Sequence, residues 1–138
     1  MWTCGDYSND QTGFTTNNNP SVNPYRVVNS TDYAVNGTTS QKLCPKDNYA
    51  MLSIPITVDT NERYLFKCMC KNEISDSRLE LRSEGSSQVL QYINIPITSE
   101  FREYLFEFTP VTENHIILFR TANNNNPMYV DNCSLNIQ

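Results

Sequence analysis

Apolar and polar residues alternate along much of the chain with a period of two. From Ala50 to Val58, the residues Ala50, Leu52, Ile54, Ile56 and Val58 fall on one side, and Met51, Ser53, Pro55 and Thr57 on the other. Successive side chains of a strand point to opposite faces, so this pattern predicts a strand with one face buried. Glu62 to Cys70 behaves alike, with Tyr64, Phe66, Cys68 and Cys70 inward. Arg102 to Phe108 sets Tyr104, Phe106 and Phe108 against Glu103, Leu105 and Glu107, and Arg78 to Arg82 alternates around Leu79 and Leu81. Further strands are predicted at Tyr25 to Asn29, Gln88 to Ile97, Asn114 to Thr121 and Met128 to Ile137. Turn signals separate them: Asn36-Gly37, Asp59-Thr60-Asn61, Glu84-Gly85-Ser86-Ser87 and Asn123 to Pro127. Pro55 and Pro96 have no N–H to donate to a ladder, which predicts an edge, bend or bulge at each. No segment sustains a 3.6-residue period over three turns. About eight to nine strands, with turns roughly every ten residues, predict an all-β sandwich or barrel. Residues 1–22 are polar and turn-rich. They read as an arm or a loosely attached first strand near Gly13-Phe14, ahead of a β domain over residues 23–138.

Composition sharpens this picture. The chain has 138 residues, enough for one domain with a real core. It carries eight Tyr and six Phe, which suit pleated surfaces, and its few alanines (Ala34, Ala50, Ala122) suit helices poorly. The net charge is −5, so the basic footprint required for nonspecific binding to nucleic acid or to an anionic membrane is missing. No apolar run is long enough for a membrane-spanning helix. Met1 to Val22 has neither the positive start nor the apolar run of a secretory signal. The five cysteines are Cys4, Cys44, Cys68, Cys70 and Cys133, an odd number that leaves at least one unpaired. Cys68 and Cys70 share the core face of one strand and read as small buried hydrophobes. Reduced cysteines suit folding in a cytosol, as for an intracellular protein or a virion component later exposed on a particle or cell surface.

The order of the pieces carries a resemblance. Thr57 to Lys71 contains a turn, then Tyr64-Leu65-Phe66, then a lysine. Phe101-Arg102-Glu103-Tyr104-Leu105-Phe106-Glu107-Phe108-Thr109-Pro110 is similar to a strand that usually opens on Trp. Met128-Tyr129-Val130-Asp131-Asn132-Cys133-Ser134-Leu135 is similar to a closing strand with two consecutive Asp. Together, over roughly residues 24–137, these resemble the jelly-roll carbohydrate-binding modules with a galactose-binding-like fold. The resemblance implies a two-sheet antiparallel sandwich. It also implies a structural calcium at Asp131, although the acidic partner expected after Phe14 is replaced by Thr15 and Thr16.

Catalytic signals are weak. His115 is the only histidine and reads as a strand residue at a sheet surface. Glu103 and Glu107 share a strand face, which reads as a solvated surface that discourages edge pairing rather than as a glycosidase pair. No nucleophile motif, Gly-rich phosphate loop or metal-ligand spacing is present in the sequence, and the chain is expected not to be an enzyme. Sugar binding asks for less: an aromatic ring to stack on a pyranose, and amides, carboxylates or Arg for its hydroxyls. Tyr25, Tyr33 and Tyr49 lie near turns or strand ends. Tyr92 has the parity opposite to inward Val89, Gln91 and Ile93, and Gln91 and Arg120 offer hydrogen bonds from a sheet face. The expected partner is a glycan or polysaccharide, with no required cofactor. The alternative is a structural or adhesion module that contacts other chains of a virion or of a multidomain parent.

Overall fold

Where the sequence alternates, the chain pairs into strands. A computed structural model describes residues 15–16, 27–30, 32–35, 37, 40–43, 45, 50–84, 88–122 and 126–138. Among these residues there are ten strands: β1 (Thr15–Thr16), β2 (Val27–Ser30), β3 (Ser40–Leu43), β4 (Met51–Thr57), β5 (Tyr64–Asn72), β6 (Ser77–Ser83), β7 (Val89–Ile95), β8 (Arg102–Phe108), β9 (Asn114–Arg120) and β10 (Met128–Ile137). They form two five-stranded sheets, here A and B, in the orders β1-β4-β9-β6-β7 and β2-β3-β10-β5-β8. Every described pairing is antiparallel. The predicted all-β, two-sheet sandwich is the observed architecture.

Two short strands define the margins. β1 is a two-residue contact of Thr15 and Thr16 with Ser53 and Leu52 of β4, and the Gly13-Phe14 pair about which a first strand was expected lies outside the described residues. The remainder of the expected N-terminal arm lies outside the described residues. β3 was not foreseen, because Ser40-Gln41-Lys42-Leu43 shows almost no apolar letters; all four residues are nevertheless buried between β2 and β10. Both prolines sit where a missing N–H is tolerated. Pro55 lies on β4 beyond the two residues that β1 covers, and Pro96 directly follows β7, an edge strand.

The core fills the space between the sheets. Leu52, Leu79, Leu81, Ile117 and Phe119 of sheet A face Phe66, Cys68, Cys70, Phe106, Phe108 and Val130 of sheet B. Phe66 and Phe119 meet across the sandwich with ring centroids 6.2 Å apart. Cys68 and Cys70 are buried there as free thiols with sulfurs 3.9 Å apart, as their shared parity predicts. The hydrogen bond between them and burial push the Cys70 thiol above its ordinary range. His115 departs from its sequence reading. It is buried on the inner face of β9, its ring edge-on to Phe108 at 6.4 Å, with Nδ1 3.3 Å from the Arg82 carbonyl.

The chain crosses from sheet B to sheet A at a polar corner. Asn72, at the end of β5, is fully buried. Its Nδ2 donates to the Ile74 and Ile95 carbonyls at 2.8 and 3.0 Å, and its Oδ1 accepts from the Ile74 N–H at 3.0 Å. One side chain thus satisfies the turn into β6 and the end of β7. A second irregularity lies in β10, whose register with β5 shifts between Asp131 and Ser134. Asn132 takes a left-handed φ of 54° there, a conformation that Asn tolerates better than most residues.

Candidate functional site

The strand Ser77–Ser83 explains the chemistry of one sheet face. Its sequence, Ser-Arg-Leu-Glu-Leu-Arg-Ser, sends Leu79 and Leu81 into the core and therefore Arg78, Glu80 and Arg82 to the outer face of sheet A. Register carries this row onto the neighbouring strands. Glu80 is opposite Tyr92 on β7 and Leu118 on β9, and Arg78 is opposite Asn94 on β7 and Arg120 on β9. The sequence-predicted Tyr92 and Arg120 therefore share one face. They sit on strands that flank β6, so roughly 10 Å of sheet separates them.

Glu80 organises this face. It is fully buried, and its two oxygens are divided between two guanidinium groups on its own strand. Oε1 accepts from Arg82 Nε at 2.9 Å and lies 2.7 Å from Arg82 Nη2. Oε2 lies 3.0 Å from Arg78 Nη2, in an ion pair whose angle is not that of a hydrogen bond. A lone buried carboxylate would be costly, and the two cations make it tolerable. The Arg78 guanidinium in turn lies 4.8 Å from the centroid of the Tyr92 ring, and Tyr92 is 51 % exposed. Ring, fork and carboxylate are therefore held in one arrangement before any ligand arrives.

The remaining predicted residues fall elsewhere. Gln91 faces away from Tyr92, and its Nε2 donates to the Glu107 carbonyl of β8 at 2.8 Å, tying the edges of the two sheets together. Tyr33 belongs to an open cleft of about 480 Å³ at the β2–β3 side of sheet B, lined by Asp32, Tyr33, Lys42, Glu73, Pro127 and Tyr129 among others. The Lys71 ammonium lies 4.1 Å from the Tyr33 ring centroid, and the Tyr33 and Tyr129 rings meet edge to face at 5.1 Å. Asp32 accepts from Lys42 Nζ at 2.6 Å and from the Tyr129 hydroxyl at 3.1 Å. Burial, and then this bond to a carboxylate, raise the Tyr129 phenol well above its usual value. Tyr25 and Tyr49 lie outside the described residues.

Asp131 holds the chain rather than gathering acids. Oδ2 accepts the Val35 N–H at 2.8 Å and Oδ1 accepts the Asn132 N–H at 2.8 Å. These bonds pin the β10 bulge to the segment before β3. Among the described residues no three His, Cys, Asp or Glu side chains come together as a metal site.

Arg78, Glu80 and Arg82, which the sequence reading does not single out, share this face with Tyr92 and Arg120. Their signal was present, since a strand whose alternate residues are Arg, Glu and Arg places three charges on one face.

No protein-family model matches the chain, and neither does any curated protein. Solved structures do share its fold. The enzymatically active domain of tailspike protein 4 from bacteriophage CBA120 superposes with a TM-score of 0.71 at 16 % identity, over 92 % of this chain but only 20 % of that one. A family 16 carbohydrate-binding module gives a TM-score of 0.65 at 16 % identity, over 81 % of this chain and 86 % of the module. The CBM22-1 xylan-binding domain from Paenibacillus barcinonensis gives 0.63 at 14 % identity, over 94 % and 88 %. The fold is thus a jelly-roll sandwich shared with solved carbohydrate-binding modules, and this chain spans about a fifth of the tailspike chain.

Proposed function

We infer that the chain is a noncatalytic carbohydrate-binding module and that it binds glycan on the outer face of sheet A. One observation carries the reading: Tyr92, half exposed, stands on a sheet face with Arg78 against its ring and Arg120 two strands away. A ring of this kind stacks on the apolar face of a pyranose, and Arg N–H groups bond hydroxyls in pairs. The surface needs no nucleophile and no titrating base, and the buried His115 is remote in role from it. The solved modules of like fold support the same reading.

The test is a glycan and polysaccharide panel, repeated with a chelator. Tyr92→Ala is expected to weaken binding to whichever glycan wild type recognises by about tenfold or more. Its thermal midpoint should stay near wild type, because an exposed surface truncation rarely moves stability by more than about 0.5 kcal/mol. Chelation is expected to leave both affinity and midpoint unchanged, since Asp131 is occupied by amides. Unaltered affinity in Tyr92→Ala would move the site off this face, and a chelator-sensitive midpoint would restore a metal at Asp131.

A second reading has one observation of its own. Nearly the whole chain matches a small part of a phage tailspike domain. It would then serve as a structural or adhesion module within a larger assembly. Sedimentation of the purified chain separates the two: a monomer is expected of an appended binding module, and a trimer or higher oligomer favours the assembly role.

A further inference from the structure

We propose that the cleft at the β2–β3 side of sheet B is a second binding site, and that it takes a neutral sugar residue. It lies on the other sheet from Tyr92 and stands whether or not that face binds glycan. At about 480 Å³ it has the size that small ligands occupy. Its aromatic wall is Tyr33, which is 48 % exposed although the chain around it is held fast. Ser40 Oγ donates to the Tyr33 carbonyl at 2.7 Å, and two residues further on Asp131 accepts the Val35 N–H. The ring itself rests against Tyr129 and the Lys71 ammonium. A ring so exposed and so restrained loses little freedom when a pyranose stacks on it.

The polar half of the site is a buried cation with unmet donors. Lys71 is more than nine-tenths buried, and its ammonium lies among three residues that line the cleft. Glu73 Oε1 is 3.8 Å away, and the ring centroids of Tyr33 and Tyr129 are 4.1 and 5.5 Å away. None of these contacts is a hydrogen bond, and among the described residues no other acceptor bonds this ammonium. A buried donor left unmet is costly, so an oxygen that reaches it is favoured. The gap between Lys71 Nζ and Glu73 Oε1 leaves one hydroxyl oxygen within reach of both. Such a hydroxyl accepts from the lysine and donates to the carboxylate, a pair of roles that neither a carboxylate nor an ammonium can fill. Glu73 is itself placed by its N–H, which donates to the Pro127 carbonyl of the same cleft at 3.2 Å. Charge agrees with this ligand class. Asp32 pairs with Lys42 and Glu73 with Lys71, so these four charges sum to zero and offer an ion no net attraction.

The experiment follows backbone amides of the isotope-labelled chain by NMR. The probes are methyl glycosides of glucose, galactose, mannose and xylose, β-1,4-linked trisaccharides of glucose, galactose and xylose, and glucosamine and glucuronate. At least one neutral sugar is expected to shift the amides of Tyr33, Glu73 and Tyr129 saturably, and to bind there more tightly than either charged sugar. Tyr33→Ala is expected to weaken that binding about tenfold, and Tyr92→Ala to leave it unchanged. Lys71→Met, which keeps the aliphatic stem and removes the ammonium, should weaken it about fivefold or more and serves if Tyr33→Ala does not fold. Shifts confined to the Tyr92 face, or binding at the cleft that survives both substitutions, overturn the second site and leave the Tyr92 reading standing. Tighter binding of glucosamine or glucuronate at the cleft overturns the neutral class. No response at the cleft to any of these sugars overturns the proposal.

Discussion

Phe119→Ala is expected to lower the unfolding free energy by about 3–5 kcal/mol. Phe119 is fully buried on β9, the middle strand of sheet A, with Leu52 and Leu79 beside it in register and Phe66 across the sandwich. Removing the ring deletes apolar area and leaves a cavity walled by strands on both sheets. Strands in two hydrogen-bonded ladders cannot collapse far into such a space, which is why the upper part of the range is expected. A domain of this size has roughly 5–15 kcal/mol in total, so the variant should retain only a fraction of it. Denaturant titration reads the loss as a lower midpoint with an unchanged slope. Leu105→Ala, on the outer face of edge strand β8 and 53 % exposed, is the control and should change stability by about 0.5 kcal/mol or less. A loss below about 1 kcal/mol for Phe119→Ala would mean that the two sheets do not pack as described.

Asn72→Ala should cost about 2–4 kcal/mol without removing much apolar surface. The substitution removes the side-chain bonds to the Ile74 N–H and to the Ile95 carbonyl at a position that is fully buried. Each unsatisfied buried group costs about 1–3 kcal/mol. Asn72→Asp gives a sharper test because its sign depends on pH. The two donors that Nδ2 supplies would become a carboxylate oxygen facing the Ile74 and Ile95 carbonyls. Only the protonated acid can donate there, so its folded pKa is expected to rise above the unfolded value of about 3.9. A raised pKa means that this contribution is present at pH below the unfolded value and is lost as pH rises through the folded one. Asn72→Asp should therefore approach wild type most closely in mild acid and fall below Asn72→Ala near neutrality. A pH-independent difference between the two variants would show that the corner is open to water.

The sandwich was legible wherever one face of a strand is buried and the other is wet. β4, β5 and β8 announce themselves by strict alternation, and Pro55 and Pro96 mark positions where a ladder bond is not needed. β3 was invisible for a physical reason. Its burial is made by tertiary partners, with the Lys42 stem enclosed and its ammonium delivered to Asp32, so no apolar letter records it. His115 was misplaced because Ile116, Ile117, Leu118 and Phe119 form an unbroken apolar run. A central strand shielded on both faces loses the period that would have assigned its neighbour a side.

The candidate site was legible in part for a related reason. Parity alone puts Tyr92 outside, and the structure places Arg120 on the same face through β6. The expectation for Gln91 took an amide on an edge strand as a hydrogen-bonding group for ligand, whereas its Nε2 bridges the sheets. Glu80 could not be found from composition, because its importance comes from a burial that only the neighbouring strands create.

The pleat of β6 separates two kinds of inheritance. Leu79 and Leu81 answer to the interior, while Arg78 and Arg82, with Tyr92, Asn94 and Arg120 alongside, answer to whatever lies outside. Changes at Tyr92 or Asn94 leave the first set untouched, whereas changes at Arg78 or Arg82 also unpair the buried Glu80; on the glycan-binding reading, recognition can drift at the former while the fold stays as it is. A combinatorial library over Tyr92 and Asn94, built on an unmodified interior, would sample that drift directly.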